Sequence, residues 1–114
     1  MEGGFMNIQI FGKAKCFDTK KAERYFKERG IKYQRVDILQ KGLSKGELNS
    51  IIASVGIDAI VSDKPEEYHL FRHLTADAKP DKLLECTVLF NTPIVRNGKT
   101  ATVGYRPDIW KGWE

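Results

Sequence analysis

Two side chains in this sequence could act as sulfur nucleophiles, Cys16 and Cys86, and they stand in opposite surroundings. Cys16 closes a basic loop, Lys13-Ala14-Lys15-Cys16, between an alternating stretch and a helical one. A cysteine at such a junction faces the unpaired N–H groups and the positive end of the helix dipole, and both favour the thiolate. Lys13 and Lys15 add positive charge, and Thr19 offers a hydroxyl within one turn of the sulfur. The loop therefore predicts a reactive thiol with a pKa below that of a free cysteine. The plainer alternative, a small buried core residue, fits poorly in a polar, basic loop. Cys86 stands beside Leu83 and Leu84 and reads as core or interface packing rather than a resolving thiol.

Other chemistry is thinner. His69 and His73 are spaced to share one face of a helix, as in some zinc sites, but no Glu follows His69 and no third ligand is evident. They read as a solvated helix face, and no metal is expected. Arg106 could carry its guanidinium to a bound oxyanion, with a surface ion pair as an equal alternative.

A strand must precede Cys16 and a helix must follow it. In residues 7–12, Ile8 and Ile10 fall on one face and Asn7 and Gln9 on the other, which predicts a first strand ending at Gly12. Ala22, Tyr25 and Phe26 recur at helical spacing over residues 19–29, and Gly30 stands where a left-handed C-terminal residue is wanted. Alternation returns over residues 33–38, and so compact a strand–helix–strand unit predicts a right-handed parallel crossover.

Ser44-Lys45-Gly46-Glu47 is a capping box opening a helix with a stripe of Leu48, Ile51, Ile52 and Val55, ended by Gly56. A helical turn over 57–61 follows. Pro65 suits the first turn of another helix burying Leu70, Phe71 and Leu74, and Pro80 opens one more carrying Leu83, Leu84 and Val88. This strandless middle reads as an insertion between two parts of one sheet. Pro93-Ile94-Val95-Arg96, Asn97-Gly98 and the stretch from Lys99 to Tyr105 read as a hairpin on a tight turn. Arg106-Pro107 starts a final short helix anchored by Trp110 and Trp113.

At 114 residues, 41% hydrophobic and 30% charged, the sequence suits a single globular domain over residues 1–114. No apolar run approaches the roughly 18 to 20 residues needed to span a bilayer, and the N-terminal residues lack a signal-peptide layout, so no membrane partner and a cytoplasmic location are expected. The net charge of +4 arises from 19 basic residues interleaved with 15 acidic ones, with no basic block of the kind that binds nucleic acid directly. In a reducing compartment both cysteines should be thiols and any disulfide transient.

Cys16-Phe17-Asp18-Thr19, the helical insertion, Asn91-Thr92-Pro93-Ile94-Val95 and Gly104-Tyr105-Arg106-Pro107 occur in an order and spacing that resemble the arsenate-reductase-like family of thioredoxin-fold proteins, which includes the Spx-type transcription regulators. The resemblance runs from about Asn7 to Trp110. It implies a three-layer α/β fold with a mixed sheet, built as βαβ, helical insertion and ββα. It also implies that Cys16 is the nucleophile and that Pro93 is cis, its loop beside the sulfur. Arsenate reductases of this type place three arginines around the oxyanion; Arg106 matches one, while Thr92 and Ser62 stand where the others are expected. Spx-type regulators present a Cys-x-x-Cys switch, which Thr19 excludes here.

The residues and the resemblance together predict a thiol oxidoreductase in which Cys16 attacks an oxidised substrate and an external thiol resolves the adduct. Glutathione is the expected co-substrate, glutathione or glutaredoxin the expected partner, and no bound cofactor is expected. Lys13, Lys15, Thr19, Thr92, Pro93 and Arg106 are the expected substrate-binding residues. The rival from another class is a non-catalytic regulatory module that docks on a transcription complex.

Overall fold

The computed structural model describes residues 7–113. Four strands, β1 (Ile8–Gly12), β2 (Tyr33–Asp37), β3 (Ile94–Asn97) and β4 (Thr100–Val103), form one sheet in the order β2-β1-β3-β4. β1 pairs in parallel with β2, while β3 runs antiparallel to both β1 and β4. The sheet is mixed, as predicted, and the βαβ and ββα halves meet at the β1–β3 pair.

The period-2 alternation of β1 and β3 decides what each face buries. Ile8, Ile10 and Val95 pack with Ala22, Tyr25 and Phe26 of α1 (Phe17–Glu28). Phe11 and Ile94 face the other way, onto Leu48 and Ile51 of α2 (Lys45–Val55) and Leu83 of α4 (Ala78–Glu85), with Phe71 of α3 (Tyr68–Phe71). Trp110 of α5 (Pro107–Trp110) completes the α1 side, its ring edge-on to Tyr25 at 5.2 Å between centroids. Its indole N–H donates to Thr102 Oγ1 at 2.8 Å, giving the buried Thr102 hydroxyl a partner and pinning α5 to β4.

The capping box is formed: Ser44 Oγ accepts from the Glu47 N–H, and Glu47 Oε1 accepts from the Ser44 N–H. Gly30 follows α1 at φ 69°, and Gly98 turns the hairpin at φ 63°, both left-handed values that a Cβ would resist.

Several boundaries and burials differ from the sequence reading. The first helix begins at Phe17, not Thr19, because Cys16 is its extended N-cap residue and the 78% exposed Phe17 adds nothing to the apolar stripe. Residues 65–74 give only the four-residue α3; Phe71 is buried, whereas Leu70 is 78% exposed, because so short a helix touches the core on one side only. Pro80 is the third residue of α4 rather than its opener, tolerated where backbone N–H groups have no intrahelical acceptor. Val88 lies in a separate turn at Thr87–Leu89 and is exposed. The middle of the chain carries one strand-like contact, a bridge between Val61 and Phe90. No helix of the described residues is long and apolar enough to cross a membrane.

Candidate functional site

The register gathers four loops at one edge of the sheet. Phe11 pairs with Ile94 and Ile94 with Val103, so the end of β1 lies beside the start of β3 and the end of β4. The Gly104 N–H donates to the Pro93 carbonyl at 2.8 Å, and the Ile38 N–H donates to the Gly12 carbonyl at 3.0 Å. The loops before Cys16, after β2, before β3 and after β4 are thereby placed together.

Cys16 takes extended dihedrals (φ −87°, ψ 117°) while its carbonyl accepts from the Lys20 N–H at 3.3 Å, the usual arrangement of a residue at a helix entrance. The side chain is half-buried, and Sγ lies 3.5 Å from the Thr92 carbonyl, to which the neutral thiol donates. Thr92–Pro93 is a cis peptide bond, the geometry the resemblance implies. Burial pushes the Cys16 thiol up. The hydroxyls of Thr19 and Thr92 and the backbone N–H groups of Thr19 and Asp18 favour the anion more strongly, so the net shift is downward.

Thr19 is the most informative neighbour. It is 1% exposed, and its Oγ1 is buried with no hydrogen-bond partner beside the neutral thiol. A buried hydroxyl without a partner costs free energy, and deprotonation of Cys16 supplies an acceptor. Its methyl side packs over Gly12: a Cβ there would overlap Thr19 Cγ2 and lie 2.6 Å from Oγ1. Gly12 is thus required for the close approach of β1 to α1 that aims the hydroxyl.

The lysines divide. Lys13 Nζ donates to the carbonyls of Val88 at 3.1 Å and Phe90 at 2.8 Å, tying the cysteine loop to the end of the helical region, and burial lowers its pKa despite the nearby Cys16. Lys15 is exposed. Arg106, the N-cap residue of α5, donates through Nε and Nη2 to Asp108 at 3.3 and 3.2 Å, and these bonds hold the Asp108 carboxyl below the usual carboxylate range. Arg106 is exposed at the same edge of the sheet as Cys16, with an acidic partner of its own.

Ser62, at another of the arginine positions, accepts from the Lys64 N–H. His69 and His73 do not share a helix, since α3 ends at Phe71; both are exposed, and the described residues hold no cluster of three metal-ligating side chains. Cys86 is half-buried against the α2–α4 core, as expected of a packing residue.

A cleft of about 540 Å³ opens beside Cys16 between Ala14 and Lys15 on one side and Asp37, Leu39 and Gln40 on the other. The residues after β2 were missed by sequence reasoning. The available signal was that a parallel β1–β2 pair brings the end of β2 next to the cysteine loop.

A three-layer sandwich with a first-loop thiol beside a cis-proline loop, and Thr19 in place of a second cysteine in that loop, defines a protein of thioredoxin-like fold with one cysteine at the entrance of its first helix. No family model matches the sequence. It is 34% identical over 110 residues to the global transcriptional regulator Spx 2 of Oceanobacillus iheyensis, spanning 90% of this chain and 80% of that protein. It is 24% identical over 111 residues to the uncharacterized protein YusI of Bacillus subtilis, spanning 90% and 94% of the two. An arsenate reductase from Vibrio cholerae superposes with a TM-score of 0.83 at 23% identity, over 96% of this chain and 98% of that one. An ArsC-family-related protein from Bacteroides fragilis gives 0.82 at 19% identity with the same coverage. The chain belongs to the arsenate reductase–Spx family of thioredoxin-like proteins.

Proposed function

We propose that this protein is a cytoplasmic thiol oxidoreductase in which the Cys16 thiolate attacks an oxidised sulfur and glutathione, alone or through glutaredoxin, resolves the adduct. The observation that carries this reading is the set of donors around Sγ that lowers the thiol pKa at the entrance of α1. A bond forms between Cys16 Sγ and the substrate sulfur as the substrate S–S bond breaks, and the departing thiolate takes the electron pair. A second thiol then attacks the adduct and releases Cys16 as thiolate. Thr19 stands where a resolving cysteine would be needed, so the second thiol is external.

Arsenate fits less well. Of three expected arginines only Arg106 is present, and its guanidinium is paired with Asp108. Losing one partner of a desolvated charge-assisted contact typically costs about 2 to 5 kcal/mol, and two such contacts are replaced here by Thr92 and Ser62.

Turnover of a glutathione mixed disulfide by the wild type, Cys16→Ser and Cys86→Ser tests the proposal. Activity lost only in Cys16→Ser supports it, and equal activity in Cys16→Ser removes it.

A regulatory role is the second reading, favoured by the 34% identity to a global transcriptional regulator. Recovery of RNA polymerase subunits in a pull-down, together with no turnover on any thiol substrate, would select it.

A further inference from the structure

We infer that the cleft beside Cys16 selects peptide disulfides in which an apolar residue adjoins the reacting cysteine and an acidic residue lies nearby. The inference rests on the thiol-exchange reading above and names the substrate class of that same site.

Large apolar side chains are mostly buried in this fold, yet Leu39 is 51% exposed on the cleft wall and Phe17, next to Cys16 in sequence, is 78% exposed. Neither contributes to the core. The wall that carries Leu39 is preformed: the Leu39 N–H donates to Asp37 Oδ1 at 3.0 Å, and the Gln40 and Lys41 N–H groups donate to the Asp37 carbonyl at 3.2 and 2.9 Å. The opposite wall is fixed by Lys13, anchored on the carbonyls of Val88 and Phe90. An apolar side chain can therefore bind between Ala14 and Leu39 with little reordering of either wall.

Charge narrows the partner further. The cleft lining carries two basic side chains, Lys13 and Lys15, against one acidic one, Asp37 on the opposite wall, so its balance is positive, and Lys20 Nζ sits nearby, 5.9 Å from the centre of the Phe17 ring. Lys15 is exposed and can meet a carboxylate on the incoming chain. In the exchange step the Cys16 thiolate bonds to the peptide sulfur, the peptide's S–S bond breaks, and the other thiolate leaves with the electron pair. An external monothiol later restores Cys16 in the same manner.

The test uses short peptides whose cysteine is joined to thionitrobenzoate, so that every substrate shares one chromophoric leaving group and rate differences report peptide binding. A Leu-Cys-Glu peptide should react about five- to tenfold faster than Ser-Cys-Glu, the range expected for partial burial of one apolar side chain. Replacing Glu by Lys should slow the reaction a few-fold at low salt, with the difference fading at high salt. Leu39→Ser should bring the Leu-to-Ser rate ratio close to one, while Leu70→Ser, on an exposed leucine away from the cleft, should keep it. Equal rates for the Leu and Ser peptides with the wild type would overturn the selection while leaving thiol exchange standing. Absence of release even from the thionitrobenzoate disulfide of N-acetylcysteine amide would overturn the exchange reading and the selection with it.

Discussion

Replacing Thr19 by valine isolates the group that most directly links the fold to the thiol. Valine keeps the branched shape that packs over Gly12 and deletes only the hydroxyl, which is buried and unpartnered beside the neutral thiol. In the thiolate form that hydroxyl becomes a hydrogen bond to a charged acceptor, a class worth about 1.5 to 3 kcal/mol. Cys16 is only half-buried and sulfur is a diffuse acceptor, so the lower end applies, about 1.5 kcal/mol. At about 1.4 kcal/mol per factor of ten, the thiolate population below the titration midpoint should fall roughly tenfold in Thr19→Val, and the Cys16 pKa should rise. The assay is the rate of iodoacetamide alkylation against pH, read on Cys86→Ser so that one thiol reports, with denaturant unfolding alongside. Folding stability should be unchanged or higher at a pH low enough to keep Cys16 a neutral thiol, since a buried hydroxyl without a partner is removed, and lower at a pH where the folded protein holds the thiolate. An unmoved alkylation midpoint in a stably folded Thr19→Val would refute the assignment of Thr19 as a thiolate donor.

Gly12→Ala should act on the same contact from the other side: its Cβ overlaps Thr19, so the variant should lose about 1 to 3 kcal/mol in denaturant unfolding and also raise the Cys16 alkylation midpoint. Trp110→Phe removes the indole donor to Thr102 and part of the packing against Tyr25 and Phe26, and should lower stability by about 2 kcal/mol in the same assay. An unchanged denaturation midpoint in either variant would contradict the packing described.

What the sequence made legible was local. The Asn97-Gly98 turn, the Ser44–Glu47 box, Gly30 after α1 and the alternation of Ile8 and Ile10 each carry their own signal within a few residues, and each is found in the structure. The helical insertion was read less well because periodicity assumes helices long enough to have a face. Residues 65–74 break into a turn and a four-residue helix, which leaves Leu70 in solvent and separates His69 from His73.

At the site, the basic loop and the helix entrance marked Cys16, and the pattern around Pro93 marked its neighbour. Long-range partners had no local signature. Lys13 reaches carbonyls of Val88 and Phe90, Asn91 Nδ2 donates to the carbonyls of Ala59 and Val61, and Leu39 forms a cleft wall only because β2 lies parallel to β1. These contacts exist only after the chain has folded, and residue types alone do not announce them.

Every step proposed for this protein depends on Cys16 being its reacting thiol. The most direct measurement is incubation with oxidised glutathione at neutral pH, followed by intact and peptide mass spectrometry of the wild type and Cys16→Ser. Fast, selective glutathionylation of Cys16, reversed by a glutaredoxin and absent from Cys16→Ser, is the expected result. No adduct, or labelling mainly at Cys86, would contradict it.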